Sequence, residues 1–321
     1  MTTAETQINA KPPGGPKGPR SRHLSDRAIV NLFVWPALIL LILLNIFPLM
    51  YSLYLSFTDY SAIARAAPVW VGFENFINIL NDEQLWQYFA TTGRFAVMTV
   101  GLELILGFGL AMLVREKFWG SGFVTTLILI PMMLSPVVVG LFWKLMYNPT
   151  FGYLNFLLGF DKPNLAPDWL ASRFAGQPMP GLALWAVVIA DVWMWAPFVM
   201  LLVLSGLKAI PDYLYEAAVI DRASSWFQFW RITLPQVAPL MLIAILFRTI
   251  EAFKSFDLVM GMTGGGPGDQ TELIAIDLYR MAFQGQFQTG RSSALAYIIL
   301  IIIIAVSNLY IKYLNQMRGE S

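Results

Sequence analysis

Apolar residues in this chain run in long unbroken stretches instead of the period-two or three-to-four spacing of half-buried elements. Arg27 and Asp59 enclose 31 uncharged residues, and Lys117 and Lys144 enclose 26. About 20 apolar residues cross a hydrocarbon core as a helix, so each stretch predicts a membrane span. From Phe95 to Val114 the only charge is Glu103, from Phe174 to Leu207 it is Asp191, and 20 uncharged residues separate Arg291 from Lys312. Between Arg231 and Arg248 there are 16, enough for a span only when Arg248 and Glu251 are taken into it. The pattern predicts an all-α integral membrane chain: a transmembrane domain over 28–315 with six helices at about 29–51, 93–114, 121–146, 181–206, 236–256 and 293–313.

Residues 1–27 read as a disordered basic tail. The first apolar segment is too long for a cleaved signal peptide, and no A-x-A-like site follows it, so it is expected to stay as an anchor. Lys and Arg set orientation, because the cytoplasmic loops of membrane proteins carry their excess. Twelve precede span one or follow spans two, four and six, against six in the alternate loops. Both termini and the 207–235 loop are therefore expected in the cytoplasm, and the loops 52–93, 147–181 and 255–293 outside. Pro and Gly punctuate the spans (Pro36, Pro131, Pro136, Pro197, Gly107, Gly140), as in helices that bend or pack closely.

Composition supports the membrane and removes several chemistries. The chain is 57% hydrophobic and 13% charged, with a mean hydropathy of +0.61, too apolar for a soluble domain of this size. A net charge of +1 gives no field for nucleic acid. Without cysteine there is no thiolate site, and the single His23 lies in the tail, where it cannot serve a buried triad. No catalytic residue, metal or cofactor is expected.

The stretch Gly206–Gln236 is longer than a connection needs and carries the marks of two short amphipathic helices. Pro211 suits a first helical position. Leu214, Ala217, Ala218 and Asp221 share a face, and Ser225 with Gln228 forms a capping box for a second helix that Pro235 is expected to end. Small residues at Ala217 and Ala218 permit close approach by another protein, and Glu216 and Asp221 offer carboxylates to basic partners.

The run EAAVIDRASSWFQFWRITLP, Glu216 to Pro235, resembles the EAA loop of permease subunits of binding-protein-dependent ABC importers, specifically the maltose-permease-like carbohydrate class. Glu-Ala-Ala, Asp221 five residues after Glu216, Ala-Ser, an aromatic-rich second helix and Ile-Thr-Leu-Pro stand at that loop's spacing. The family usually has Gly where this chain has Arg222, so the turn there is expected to use Asp221 or an unstrained non-Gly residue. Phe57-Thr58-Asp59, Gly72 to Phe76, Gly152 to Asn155, Trp195 to Phe198, Phe256 to Leu258 and Thr263 to Pro267 resemble further family landmarks in order. The resemblance implies a second permease subunit, two ATPase subunits gripping Glu216, Ala217, Ala218, Asp221, Arg222, Leu234 and Pro235, and an extracytoplasmic solute-binding protein, all at a bacterial inner membrane. It also suggests that Gly264, Gly265, Gly266 and Pro267 face the binding protein.

Thr263–Thr271 is Gly-rich but lacks the Gly-Lys-Ser/Thr end of a phosphate loop. Charges inside spans cost about 2.5 kcal/mol or more at the bilayer centre unless they face protein or water. Glu103, Asp191, Arg248 and Glu251 are therefore expected to point inward, as interhelical pairs or as groups that meet solute. Trp193, Trp195 and Phe253 lie near them in sequence and could stack on a sugar face. An ion-coupled secondary transporter would leave the cytoplasmic loop unexplained, and an integral-membrane enzyme lacks the clustered His, Asp or Cys it would need.

Overall fold

A computed structural model describes residues 25–64, 67–116, 118–160, 166–285 and 287–319. The expected tail lies outside these residues up to position 24. Two compact units divide the chain between Tyr51 and Ser52.

The first unit holds α1 (Asp26–Leu41), a π turn (Ile42–Ile46) and the start of α2 (Phe47–Ser56). Proline cannot donate to the carbonyl four residues back, and its ring crowds that carbonyl. The widened turn just before Pro48 relieves both and keeps Val30–Ser56 one continuous apolar helical run.

In the second unit, a two-residue antiparallel pair, β1 (Thr58–Asp59) and β2 (Val69–Trp70), precedes α3 (Glu74–Leu80). Asn75 Nδ2 donates to the carbonyls of Ser56 and Thr58, both at 2.9 Å, and pins this connection. The Asp82 carboxylate accepts from the Gln84 and Leu85 amides; this N-cap starts α4 (Glu83–Val114) ten residues before the expected span boundary.

The expected third span is not one helix. α5 (Ser121–Leu129) gives way to a single 3-10 turn at Pro131–Met133, and Leu134 and Ser135 are extended before α6 (Pro136–Met146) begins. Pro131 and Pro136 each remove a backbone donor, and Ser135, the residue before Pro136, is pushed out of the α region, whereas Ile130 before Pro131 stays in it. α7 (Tyr153–Leu157) and a three-stranded antiparallel sheet of β3 (Pro167–Asp168), β4 (Arg173–Phe174) and β5 (Gln177–Pro178) fill the next connection. Asn155 holds it through Pro167 O and the Trp169 indole.

α8 (Leu182–Ala209) is the most buried helix, and α4 packs along it. A Cβ at Gly107 would sit 2.8 Å from Ala196 O, and one at Gly140 2.7 Å from Leu258 O. Glycine at these two points lets the backbones of facing elements touch, as close helix packing in lipid requires. After α9 (Asp212–Ile220), α10 (Ser225–Gln228) passes through a second π turn, Phe229–Thr233, into α11 (Leu234–Phe253). α12 (Asp257–Met262), α13 (Ile274–Phe283) and α14 (Thr289–Arg318) complete the chain. Among the described residues five helical runs are long and apolar enough to cross a membrane: Val30–Ser56, Glu83–Val114, Leu182–Ala209, Ser225–Phe253 and Thr289–Gln316; Pro136–Met146 is a shorter apolar helix.

The connections around 58–82, 147–181 and 255–291 lock together at one end of this unit. Ser172 Oγ and the Gly181 amide donate to Gln270 Oε1 at 2.7 and 3.0 Å, Arg291 pairs with Asp82 at 2.7 Å, and the Gly290 amide donates to Tyr60 O. The α4–α5 connection meets α9 at another place, where the Arg115 guanidinium lies 4.6 Å from the Tyr215 ring centroid.

Candidate translocation and coupling sites

Three helices bring three of the intramembrane charges together. Arg248 on α11 donates from Nε and Nη2 to the two oxygens of Glu103 on α4, at 2.7 and 2.8 Å, and from Nη2 to Asp191 Oδ2 on α8 at 2.7 Å. All three side chains are buried, at 3%, 0% and 5% exposure. A guanidinium suits this position because its planar fork matches a carboxylate bidentately. Trp195 covers the guanidinium, with its ring centroid 4.8 Å from Cζ, a cation–π contact. A cavity of about 100 Å³ opens beside the cluster, bounded by Asp191, Trp195, Arg248, Glu251, Lys254 and Asp257 among others.

The remaining predicted pathway residues separate. Glu251 pairs with Lys254 at 2.7 Å, both about half exposed, and not with Arg248 one turn before it. Phe253 packs against the buried cluster around Met194 and Val259. Trp193 does not lie beside the charges: it stacks on Phe142 at 6.1 Å and meets Trp143 edge-on. It lines an apolar groove of about 540 Å³ with Leu106, Ile128 and Pro131. Two residues apart on a helix is about 200° of rotation, so Trp193 and Trp195 cannot share a face.

In the 207–235 loop the structure corrects the caps and one helix end. Pro211 is the N-cap of α9 and not its first residue. Ser224, not Ser225, caps α10, accepting from the Phe227 amide at 3.2 Å, while Gln228 Nε2 donates back to Ala223 O. Pro235 ends no helix, because the π turn before it accommodates the ring and the missing donor, so α10 runs into α11. The turn between α9 and α10 is made by Arg222 itself at φ +54°, the left-handed region that favours glycine, and not by an unstrained residue.

The shared face of α9 also divides. Ala218 is buried at 8% with Leu214 partly buried, whereas Glu216, Ala217, Val219, Ile220 and Asp221 are exposed. Trp226, Phe227 and Trp230 add exposed aromatic surface next to them, at 71%, 52% and 47%. Leu234 is partly buried and Pro235 exposed.

The Gly264–Pro267 segment is an organised turn. Thr271 Oγ1 bridges Thr263 Oγ1 and Gly266 O at 2.6 and 2.7 Å, and the Thr271 amide donates to Gly265 O. Thr263, Gly266 and Pro267 edge a cleft shared with Lys144, Tyr147, Asn148 and Asp168.

Residues 103–318 match the family described as binding-protein-dependent transport system inner membrane component. The chain belongs to that family. As a permease subunit of such a system it is a multi-pass transport component and not an enzyme. The trehalose/maltose transport system permease protein MalF of Thermococcus litoralis is 34% identical over 88% of this chain and 92% of its own length. The trehalose transport system permease protein SugA of Mycobacterium tuberculosis is 32% identical over 90% of each chain. The sulfoquinovosyl glycerol transport system permease protein SmoG of Agrobacterium fabrum is 31% identical over 94% of each. A solved bacterial ABC transporter involved in the import of the polysaccharide alginate matches the fold with a TM-score of 0.72, 20% identity, and coverage of 88% of this chain and 95% of that one.

Within this permease, Glu103, expected to point inward, is the most completely buried member of the charge cluster. Its isolation as the one charge between Phe95 and Val114 was the available signal. Gln270, Glu272 and Arg280, which organise the Gly-rich segment, carried no local signal at all.

Proposed function

We propose that this permease imports a carbohydrate or sugar-alcohol solute, forming half of a pathway whose other half is a second, homologous permease. Two ATPase subunits drive it, and an extracytoplasmic binding protein delivers the solute. The observation that carries this reading is the identity, above 30% over about nine-tenths of the chain, to permeases named for trehalose/maltose, trehalose and sulfoquinovosyl glycerol transport. A solved neighbour, an alginate transporter in complex with a pentasaccharide-bound periplasmic protein, has the same fold at a TM-score of 0.73.

In this reading α5 and α6 cross the membrane together as the third of six spans. That gives both termini and the 207–235 loop a cytoplasmic location and puts the interlocked 58–82, 147–181 and 255–291 connections outside, as the Lys/Arg bias requires. Glu216, Ala217 and Asp221, with Arg222 at the turn, meet the ATPase, while Ala218 and Leu234 tie that contact to the bundle and Pro235 marks where it enters α11. Because α10 and α11 are one helical run, a push on the loop moves Arg248 and its partners without an intervening hinge of loose chain. The cavity beside Asp191, Trp195, Arg248 and Glu251 is this chain's share of the pathway. Gly264, Gly265, Gly266 and Pro267 border the outer cleft that receives the binding protein.

Reconstitution tests the whole assignment. Proteoliposomes holding this permease with its partner permease and ATPase should accumulate labelled sugar when given ATP and loaded binding protein. Uptake by the chain alone on an ion gradient would instead make it a secondary transporter.

A further inference from the structure

Glu272 is 1% exposed, yet only half of its carboxylate is satisfied. Oε1 accepts from Arg280 Nη1 at 2.8 Å, whereas Oε2 has no hydrogen-bond partner among the described residues. Arg280 reaches on from the same guanidinium, through Nη2, to the Gly264 carbonyl. Gly265, at φ +96°, lies directly over Oε2: a Cβ there would come within 1.7 Å of that oxygen and 3.2 Å of Arg280 Nη2. The Gly-rich turn is thus folded down on a buried carboxylate, and Arg280 staples the turn to it.

We propose that this turn is a proton-linked latch, closed over a protonated Glu272 and released when Glu272 ionises and seeks water. The charged groups around Glu272 are Arg280 and Asp277 on α13 and Asp269 in the turn, with Tyr88 facing it from α4. Asp277 itself has a buried oxygen without a partner and lies near Arg291 and Asp82. The carboxylates outnumber the cation that touches Glu272, so the site favours a neutral acid. Burial is the largest influence and pushes the Glu272 carboxyl up to about 7 from 4.5, against the opposing pull of Arg280. Since the raised value belongs to the closed turn, closure takes up a proton. The closed form is favoured below about 4.5, and that advantage fades as pH rises through 7. Between those limits each pH unit shifts the open-to-closed ratio by up to about tenfold.

The proposal rests on the outward placement of this loop for its biological sense, since that is where external pH reaches it, but the proton linkage itself does not need that placement. The test is hydrogen exchange, read by mass spectrometry on the 263–272 segment of the full-length protein in nanodiscs from pH 5.5 to 8 and corrected for intrinsic amide rates. The Gly266, Thr271 and Glu272 amides, bonded within the turn, should lose protection as pH rises. Glu272→Gln should stay protected at every pH, and Gly265→Ala, which drives a methyl into Oε2, should be unprotected throughout. Protection that is independent of pH in the wild type, or a pH dependence unchanged in Glu272→Gln, would overturn the latch. Labelling of Gly268→Cys by an impermeant thiol reagent in intact cells separately decides the placement.

Discussion

Arg248 grips Glu103 through two parallel hydrogen bonds, 2.7 and 2.8 Å long, across 145 residues of sequence. The same guanidinium holds Asp191, so one cation ties α4, α8 and α11 together, with all three side chains buried. Removing one partner of a buried ion pair costs about 3–5 kcal/mol, because the other charge is left uncompensated. Arg248→Ala leaves two carboxylates facing each other and should cut the yield and thermal midpoint of the folded permease. Adding Glu103→Gln should recover part of the loss, since it removes one of the repelling charges. Thermal melts in detergent of the two variants check this; a wild-type melt for Arg248→Ala would remove the cluster from the fold's supports.

Glu251 offers the contrast. Its pairing with Lys254 is half exposed, and exposed pairs contribute about 0–1 kcal/mol. Glu251→Gln should leave the melt unchanged, so any loss of solute uptake would report a role in the pathway and not in folding.

Arg222 sits at φ +54°, a conformation that costs a non-glycine residue roughly 1 kcal/mol or more. Arg222→Gly should therefore raise the thermal midpoint of the permease by a few degrees. A lower midpoint would show that the arginine side chain stabilises more than its backbone costs.

Much of this was legible in advance for physical reasons. Unbroken apolar runs and their flanking Lys and Arg mark spans because the bilayer tolerates little else, and a charge inside a span must find a partner, as Glu103, Asp191 and Arg248 do. The misses came where local rules met tertiary context. Pro235 signals a helix end by its missing donor, yet one widened turn absorbs it. Pro131 and Pro136 together do break a helix, with Leu134 and Ser135 extended between them. Trp193 and Trp195 look equivalent beside Asp191 until helical rotation sends one to the apolar groove and the other to Arg248. Gln270 and Ser172, 98 residues apart, meet through a contact that no spacing along the chain encodes.

Topology can be tested in a chain without cysteine by adding one at a time. In intact cells Ala223→Cys should be shielded from an impermeant thiol reagent and become reactive only after the membrane is opened. Labelling at Ala223→Cys from outside would invert the assignment of both ends.

The central claim is that an ATPase works this permease through the exposed face of α9. Ala217 is exposed and Ala218 buried, so the two alanines separate docking from folding. Ala217→Trp adds bulk that a packed interface cannot absorb without about 1–3 kcal/mol of strain, and Glu216→Lys reverses a rim charge, which acts on encounter with the partner. Ala218→Trp, by contrast, should damage the permease's own packing and lower its yield. The direct measurement is ATPase co-purification and solute-stimulated ATP hydrolysis in complexes carrying Ala217→Trp. The account predicts a folded, membrane-inserted permease that has lost both, and wild-type association with full stimulation would contradict it.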